Sequence, residues 1–161
     1  MTTMADNKRP LILHIDDEDA IRLSVEGFLE DYGYEVVSAE NGRIGLEKFH
    51  KIDPDLVLVD LRMPEVDGLE VVAEVSKNSP DTPIIVVSGT GVIADAIQAI
   101  QSGAWNYIIK PIHDMSVLLH AVKDALERLQ LIRDNRDYQE NLEQKVQEQT
   151  SLTVNRMKNE F

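Results

Sequence analysis

The stretch DLVLVDLRMPEVDG, residues 55–68, carries the reading of the chain. Leu56–Val59 is a continuous apolar run without polar alternation, the pattern of a short strand covered on both faces of a parallel sheet. The run stops at Asp60. Met63-Pro64 and Asp67-Gly68 then supply turn chemistry, and Leu69, Val71, Val72 and Val75 begin a helical pattern. Working outward, four more runs appear: Leu11–Ile15, Glu35–Ala39, Ile84–Val87 and Tyr107–Ile109. Helical patterns separate them, with Ile21, Val25, Phe28 and Leu29 on one face, and Ile44, Leu46 and Phe49 on another. A further pattern carries Val92, Ile93, Ala96, Ile97 and Ile100 and ends at Gly103, a C-cap residue. Five alternations of strand and helix predict an α/β fold with right-handed crossovers and a doubly wound parallel sheet.

Composition narrows the function. The 161 residues are 43% apolar and 28% charged, a globular balance. There are 29 acidic residues against 16 basic, a formal net charge of -13, which argues against nucleic-acid or anionic-membrane binding by this piece. Cysteine is absent, so disulfides, thiolate metal sites and a Cys nucleophile are excluded; the expected location is the cytoplasm. The N-terminus, MTTMADNKRP, has no apolar stretch of the signal-peptide kind, and no run reaches the ~20 apolar residues of a membrane span.

In a sheet of this kind ligands bind beyond the carboxyl ends of the strands, where the strand order reverses. The first run ends in Asp16-Asp17-Glu18, the third in Asp60, the fourth in Ser88 and the fifth in Lys110-Pro111. Crowded carboxylates repel by roughly 4 kcal/mol per pair at ~4 Å in a partly solvated site, and a divalent cation relieves that repulsion. Oxygen-only ligands suggest Mg²⁺. A carboxylate beside such a cation can accept a phosphoryl group, with an ammonium and a hydroxyl to neutralise and bond its oxygens.

These residues resemble a known family. Asp16-Asp17, residues 55–68, Ser88-Gly89-Thr90 and Tyr107-Ile108-Ile109-Lys110-Pro111 look like the receiver domain of bacterial two-component response regulators, over roughly residues 9–129. The resemblance implies a flavodoxin-like (βα)5 sheet of order 2-1-3-4-5, followed by a long C-terminal helix. It implies that Asp60 is the phosphoacceptor, that Asp17 binds Mg²⁺ directly and Asp16 directly or through water, and that the main-chain carbonyl of Arg62 completes the set. Ser88 would be the switch hydroxyl, Lys110 the phosphate-binding cation after a cis Lys110–Pro111 bond, and Tyr107 the switch aromatic. Arg62 and Thr90 occupy positions that influence the lifetime of the phosphoryl group. The donor would be a histidine kinase or a phosphotransfer protein. The domain is then a regulatory phosphoacceptor, with its own phosphorylation and dephosphorylation chemistry, and not an enzyme acting on a metabolite.

Other residues read more plainly. Glu18 divides between helix N-terminal charge and support of the site. His14 reads as a hydrogen-bonded core histidine, His113 and His120 as surface residues, and Trp105 with Asn106 as packing near the signalling face. Two other function classes fit the residues less well. A haloacid-dehalogenase-type phosphatase wants an Asp two residues after the nucleophile, where Arg62 stands. A flavin binder would need a phosphate-cradling loop where Asp16, Asp17, Glu18 and Asp19 would repel the phosphate.

The remaining segments are expected to differ from this domain. Residues 1–8 read as a flexible N-terminus. In the last helix Leu118, Val122, Ala125 and Leu129 form the face toward the sheet. Beyond Asp114 there is no Gly or Pro, so the helix can run unbroken through residues 130–161. Leu131, Asn135, Tyr138 and Leu142 step by 4, 3 and 4, and Val146 continues the seam after a stutter, which predicts a parallel homodimeric coiled coil. NLEQKVQEQT (141–150) is similar to signalling-helix linkers, and RMKNEF (156–161) looks like the lead-in to a kinase phosphoacceptor helix. The expectation is a linker cut before an output domain.

Overall fold

The computed structural model describes residues 8–89 and 91–159; the N-terminal segment read as flexible, apart from Lys8, and Thr90 lie outside them. Five strands and five helices alternate: β1 Leu11–Ile15, α1 Asp19–Asp31, β2 Glu35–Ala39, α2 Gly42–Ile52, β3 Leu56–Val59, α3 Gly68–Asn78, β4 Ile84–Ser88, α4 Ile93–Ser102, β5 Asn106–Ile109 and α5 Met115–Asn159. All neighbouring strands pair in parallel, in the order β2-β1-β3-β4-β5. The order reverses between β1 and β3, and this is where the first and third acidic strand ends meet.

Two apolar layers sandwich the sheet. Ile12, Leu56, Leu58, Ile85 and Val87 face one way and pack with Val25 and Leu29 of α1 and Leu118 and Val122 of α5. Their chain neighbours Leu13, Val57, Val59, Ile84 and Val86 face the other way, against Phe49 of α2 and Val71, Val72 and Val75 of α3. Strand residues alternate faces, so only a continuously apolar strand can serve both layers. The short runs are explained by that demand.

Local signals set the helix boundaries. The Asn41 side chain accepts from the Ile44 N–H at 2.8 Å, and that of Asp67 from the Glu70 N–H at 3.0 Å, each satisfying an orphan donor of a first turn. Gly103 closes α4 at φ 123°, a conformation side chains rarely adopt. Gly68 is required by proximity instead: a Cβ there would lie 2.1 Å from the Asp60 carbonyl oxygen. Helix α3 therefore starts directly against the end of β3.

One expectation is corrected, for His14, and the direction of one helix face is new. The apolar face of α4 does not pack inward. Val92, Ile93, Ile97 and Ile100 are exposed, Ile93 by 76%, and Ala99 is the buried residue of that helix. The small Ala99 lets the backbone approach the sheet and turns the larger side chains outward, so apolar spacing located the stripe but not its direction. His14 is buried as expected, at 1% exposure, but its Nδ1 has no hydrogen-bond partner among the described residues.

Contacts divide the chain between Leu126 and Glu127. The second unit is helical through Asn159, and its Leu131, Tyr138, Leu142, Val146 and Leu152 are all exposed. Among the described residues no helix is long and apolar enough to cross a membrane.

Burial pushes the His14 pKa from 6.5 down to about 4; the Asp16 carboxylate opposes that shift, while Lys110 and Arg22 add to it. The unfolded chain therefore takes up this proton first as pH falls. Stability that is complete above pH 6.5 is lost progressively toward pH 4. His14→Leu should remove that slope and stand roughly 2 kcal/mol above the parent at pH 5 relative to pH 7.5, as read from urea midpoints. Parallel curves for the two proteins would contradict it.

Candidate functional site

The sheet's hydrogen bonding runs one residue past three strands and so positions three side chains together. The Asp16 N–H donates to the Ala39 carbonyl at 3.1 Å, the Asp60 N–H to the Ile15 carbonyl at 3.0 Å, and the Lys110 N–H to the Ser88 carbonyl at 2.9 Å. Fixed backbones at the ends of β1, β3 and β5 bring the Lys110 ammonium 2.7 Å from Asp16 Oδ2 and 3.3 Å from Asp60 Oδ2. Glu18 Oε1 stands 3.7 Å from the same nitrogen. Asp16 and Asp60 are buried, and the Lys110 side chain is only 9% exposed. The Lys110–Pro111 peptide bond is cis.

The charges do not balance. Carboxylate oxygens of Asp16, Asp17, Glu18 and Asp60 can all lie within 4.8 Å of one another, and one ammonium serves them. Part of that capacity is already used. Asp16 Oδ1 accepts from the Glu18 N–H at 2.9 Å, and Asp60 Oδ1 from the Arg62 N–H at 3.3 Å. Burial raises the Asp60 pKa and the Asp16 charge adds to the rise, against the pull of Lys110 and of the Arg62 amide. Burial opposes the charge on Lys110, but its hydrogen bond to Asp16 and the charges of Asp16 and Asp60 outweigh that and raise its pKa. The ammonium stays charged, and the cluster keeps excess negative charge facing an open mouth. That mouth is lined by Asp17, Glu18, Asp60, Arg62, Ser88, Val92 and Lys110.

An acidic, oxygen-only cluster with an exposed Asp17 fits a hard divalent cation that keeps some of its water. Ser88, fully buried, closes the far wall at the end of β4. Tyr107 lies away from this mouth, half-buried against the layer that holds Val86 and Ala104. His113 and His120 are outside the cluster. Two residues went unnoticed in the sequence. Arg22 on α1 hydrogen-bonds the Asp16 carbonyl and pairs with Asp19. Asp95 in the first turn of α4 pairs with Arg62, Nη2 to Oδ2 3.2 Å. Only the Asp19–Arg22 step of three is readable from spacing; the other two contacts depend on separate elements meeting or on a side chain folding back to the backbone.

A parallel five-stranded sheet carrying an acid cluster and a lysine at its switch point defines a class of phosphoryl-accepting regulatory domains. Residues 12–123 match the family described as "Response regulator receiver domain", and the chain belongs to that family. It is 39% identical over 129 residues to the transcriptional regulatory protein GlrR of Escherichia coli, covering 80% of this chain and 29% of that protein. It is 37% identical over 108 residues to the chemotaxis protein CheY of Thermotoga maritima, covering 66% of this chain and 90% of that one. The beryllofluoride-activated NtrC4 receiver domain dimer superposes with a TM-score of 0.70 at 31% identity, covering 74% of this chain and 98% of that one. The chain thus spans less than a third of the length of the GlrR regulator.

Because the folded site disfavours the Asp60 charge, Asp60→Asn should stabilise the protein by about 0.5–2 kcal/mol at pH 7.5 in chelator. A raised carboxyl pKa costs stability above the unfolded value, and that cost is relieved as pH falls. The advantage of the variant should therefore shrink in acid. Urea denaturation at pH 7.5 and pH 4.5 checks both signs.

Proposed function

We propose that the chain is a Mg²⁺-dependent phosphorylation switch whose acceptor is Asp60, with residues 9–129 as the receiver and 130–161 as a helical linker toward an output module. One observation carries the reading: a buried lysine shared by carboxylates from two strand ends, beside a buried serine at a third. In the transfer, an Asp60 oxygen bonds to phosphorus while the donor's bond to phosphorus breaks. The leaving group departs with that electron pair and takes up a proton. Lys110 is already placed to exchange its contact with Asp60 for one to a phosphoryl oxygen, so little reorganisation is needed. The Ser88 hydroxyl would donate to a second oxygen. Bound Mg²⁺ would neutralise phosphoryl charge; Asp17, Asp16, Asp60 and the Arg62 carbonyl are the oxygens that would hold it.

The outward relay in this reading runs from Ser88 along the β4–β5 pair, where Val86 is in register with Tyr107 and Ser88 with Ile109. Tyr107 would turn inward as Ser88 moves toward the phosphoryl group. The setting is cytoplasmic, and neither nucleic acid nor membrane is contacted by this piece. The acyl phosphate would form and hydrolyse at this same site, with no metabolite turned over.

With acetyl phosphate and Mg²⁺, intact mass should rise by one phosphoryl group, and Asp60→Asn should show none. Asp17→Asn should stay folded and lose Mg²⁺ affinity. Lys110→Ala should bind Mg²⁺ without transmitting phosphorylation to Tyr107, read by NMR. Equal phosphorylation of Asp60→Asn would refute the acceptor.

The second unit supports a parallel homodimer. Leu131, Tyr138, Leu142 and Val146 are exposed on a largely polar helix, and such a helix is marginal in water without a partner. Asn135 among them favours a parallel, in-register pairing. Sedimentation should give a concentration-dependent dimer for the whole chain and a monomer after truncation at Leu129. A monomer at high micromolar concentration, or a dimer that survives truncation, would overturn the coiled coil.

A further inference from the structure

Arg62 touches both sides of the mouth of the site. Its main-chain N–H donates to Asp60 Oδ1 at 3.3 Å, while its guanidinium Nη2 lies 3.2 Å from Asp95 Oδ2 on α4. The Arg62 side chain is 72% exposed and Asp95 only 24%, so the carboxylate is the fixed member and the guanidinium the movable one. Arg62 lines the opening above Asp60 together with Lys110, Ser88 and Val92. It also lines the neighbouring cleft with Met63, Pro64 and Asp95. It therefore stands at the boundary of two depressions, with Asp95 in the second.

We propose that Asp95 is a positioning residue that holds the Arg62 guanidinium on α4 and away from the acceptor site, so that Asp95 and a phosphoryl group on Asp60 compete for one cation. The competition follows from charge and reach. A phosphoryl group adds close to two negative charges beside the Arg62 backbone, and a planar guanidinium binds phosphate and carboxylate oxygens in the same forked geometry. The exposed Arg62–Asp95 pair is worth little by itself. It is weak enough to be exchanged, and its loss frees the first turn of α4 from the loop after β3. By linkage the effect is reciprocal: whatever weakens the hold of Asp95 strengthens binding of the phosphoryl group. This inference rests on the reading of Asp60 as acceptor.

The test is a double-mutant cycle on the full chain, with beryllofluoride as the probe in the presence of Mg²⁺ and affinity measured by calorimetry and fluorine NMR. Asp95→Asn should bind the probe roughly two- to five-fold more tightly than the parent at low salt, the range an exposed ion pair allows. The gain should shrink as salt rises. Asp95→Glu should restore the parent affinity. In an Arg62→Ala background Asp95→Asn should change nothing, which separates competition for the guanidinium from the general effect of removing a nearby negative charge. An equal gain in both backgrounds, or no gain in either, overturns the positioning role while leaving Asp60 as acceptor. If the parent does not bind the probe, or Asp60→Asn binds it equally, the acceptor reading fails and this inference with it.

Discussion

Everything at the carboxyl edge of the sheet depends on the ammonium of Lys110. Two buried carboxylates, Asp16 and Asp60, would repel across the β1–β3 switch point if nothing stood between them. Lys110 makes that arrangement tolerable, and it can do so only because β5 delivers it through a backbone bond to Ser88. The sheet is in this sense a device for holding one cation against charges from other strands. The compensation is incomplete: Asp60 retains a raised pKa, and Asp17 and Glu18 remain exposed at the mouth. A site left with excess negative charge and ready oxygens invites a divalent cation, and after it an anionic group. Stability is given up locally so that a ligand can supply what is missing.

The fold was legible because the strands serve two apolar layers. Continuous runs such as Leu56–Val59, repeated between helical patterns, fit strands covered on both faces, and their polar terminators fall at one edge by topology alone. Strand ends were less certain by one residue. Asn106 and Ser88 belong to β5 and β4, where ladder bonds and not side-chain polarity decide. The residues of the acid–lysine cluster were legible as a set from motif spacing. Their distances were not, since an ion pair between positions 16 and 110 is fixed by strand pairing that no local pattern encodes.

What escaped the sequence shares one physical cause. The outward stripe of α4, the unpartnered Nδ1 of His14, the Arg62–Asp95 pair and the Arg22 contact to the Asp16 carbonyl depend on which way a side chain points once elements are packed. Periodicity gives the existence of an amphipathic face, and only the neighbours give its direction. For α4 the difference is large. An apolar stripe that faces solvent is exposed surface, whereas the same stripe turned inward would be core.

The anchoring of the helices bears on how a small event at Asp60 can be felt elsewhere. Helix α3 buries Val71, Val72 and Val75 and starts with Gly68 pressed against the Asp60 carbonyl, so it cannot move without disturbing β3. Helix α1 buries Val25 and Leu29. Helix α4 fully buries Ala99 alone, with Ile97 and Ile100 about half covered, so less apolar surface anchors it than anchors α3. A surface ion pair or a single hydrogen bond is therefore a larger share of what holds it. On the reading of Asp60 as acceptor, a phosphoryl group that recruited one guanidinium and one hydroxyl would alter terms of that magnitude. Such terms would weigh more on α4 than on α3. The weakest-held helix also carries the exposed apolar side chains of Ile93, Ile97 and Ile100, so the element easiest to displace is the one whose displacement changes the surface most.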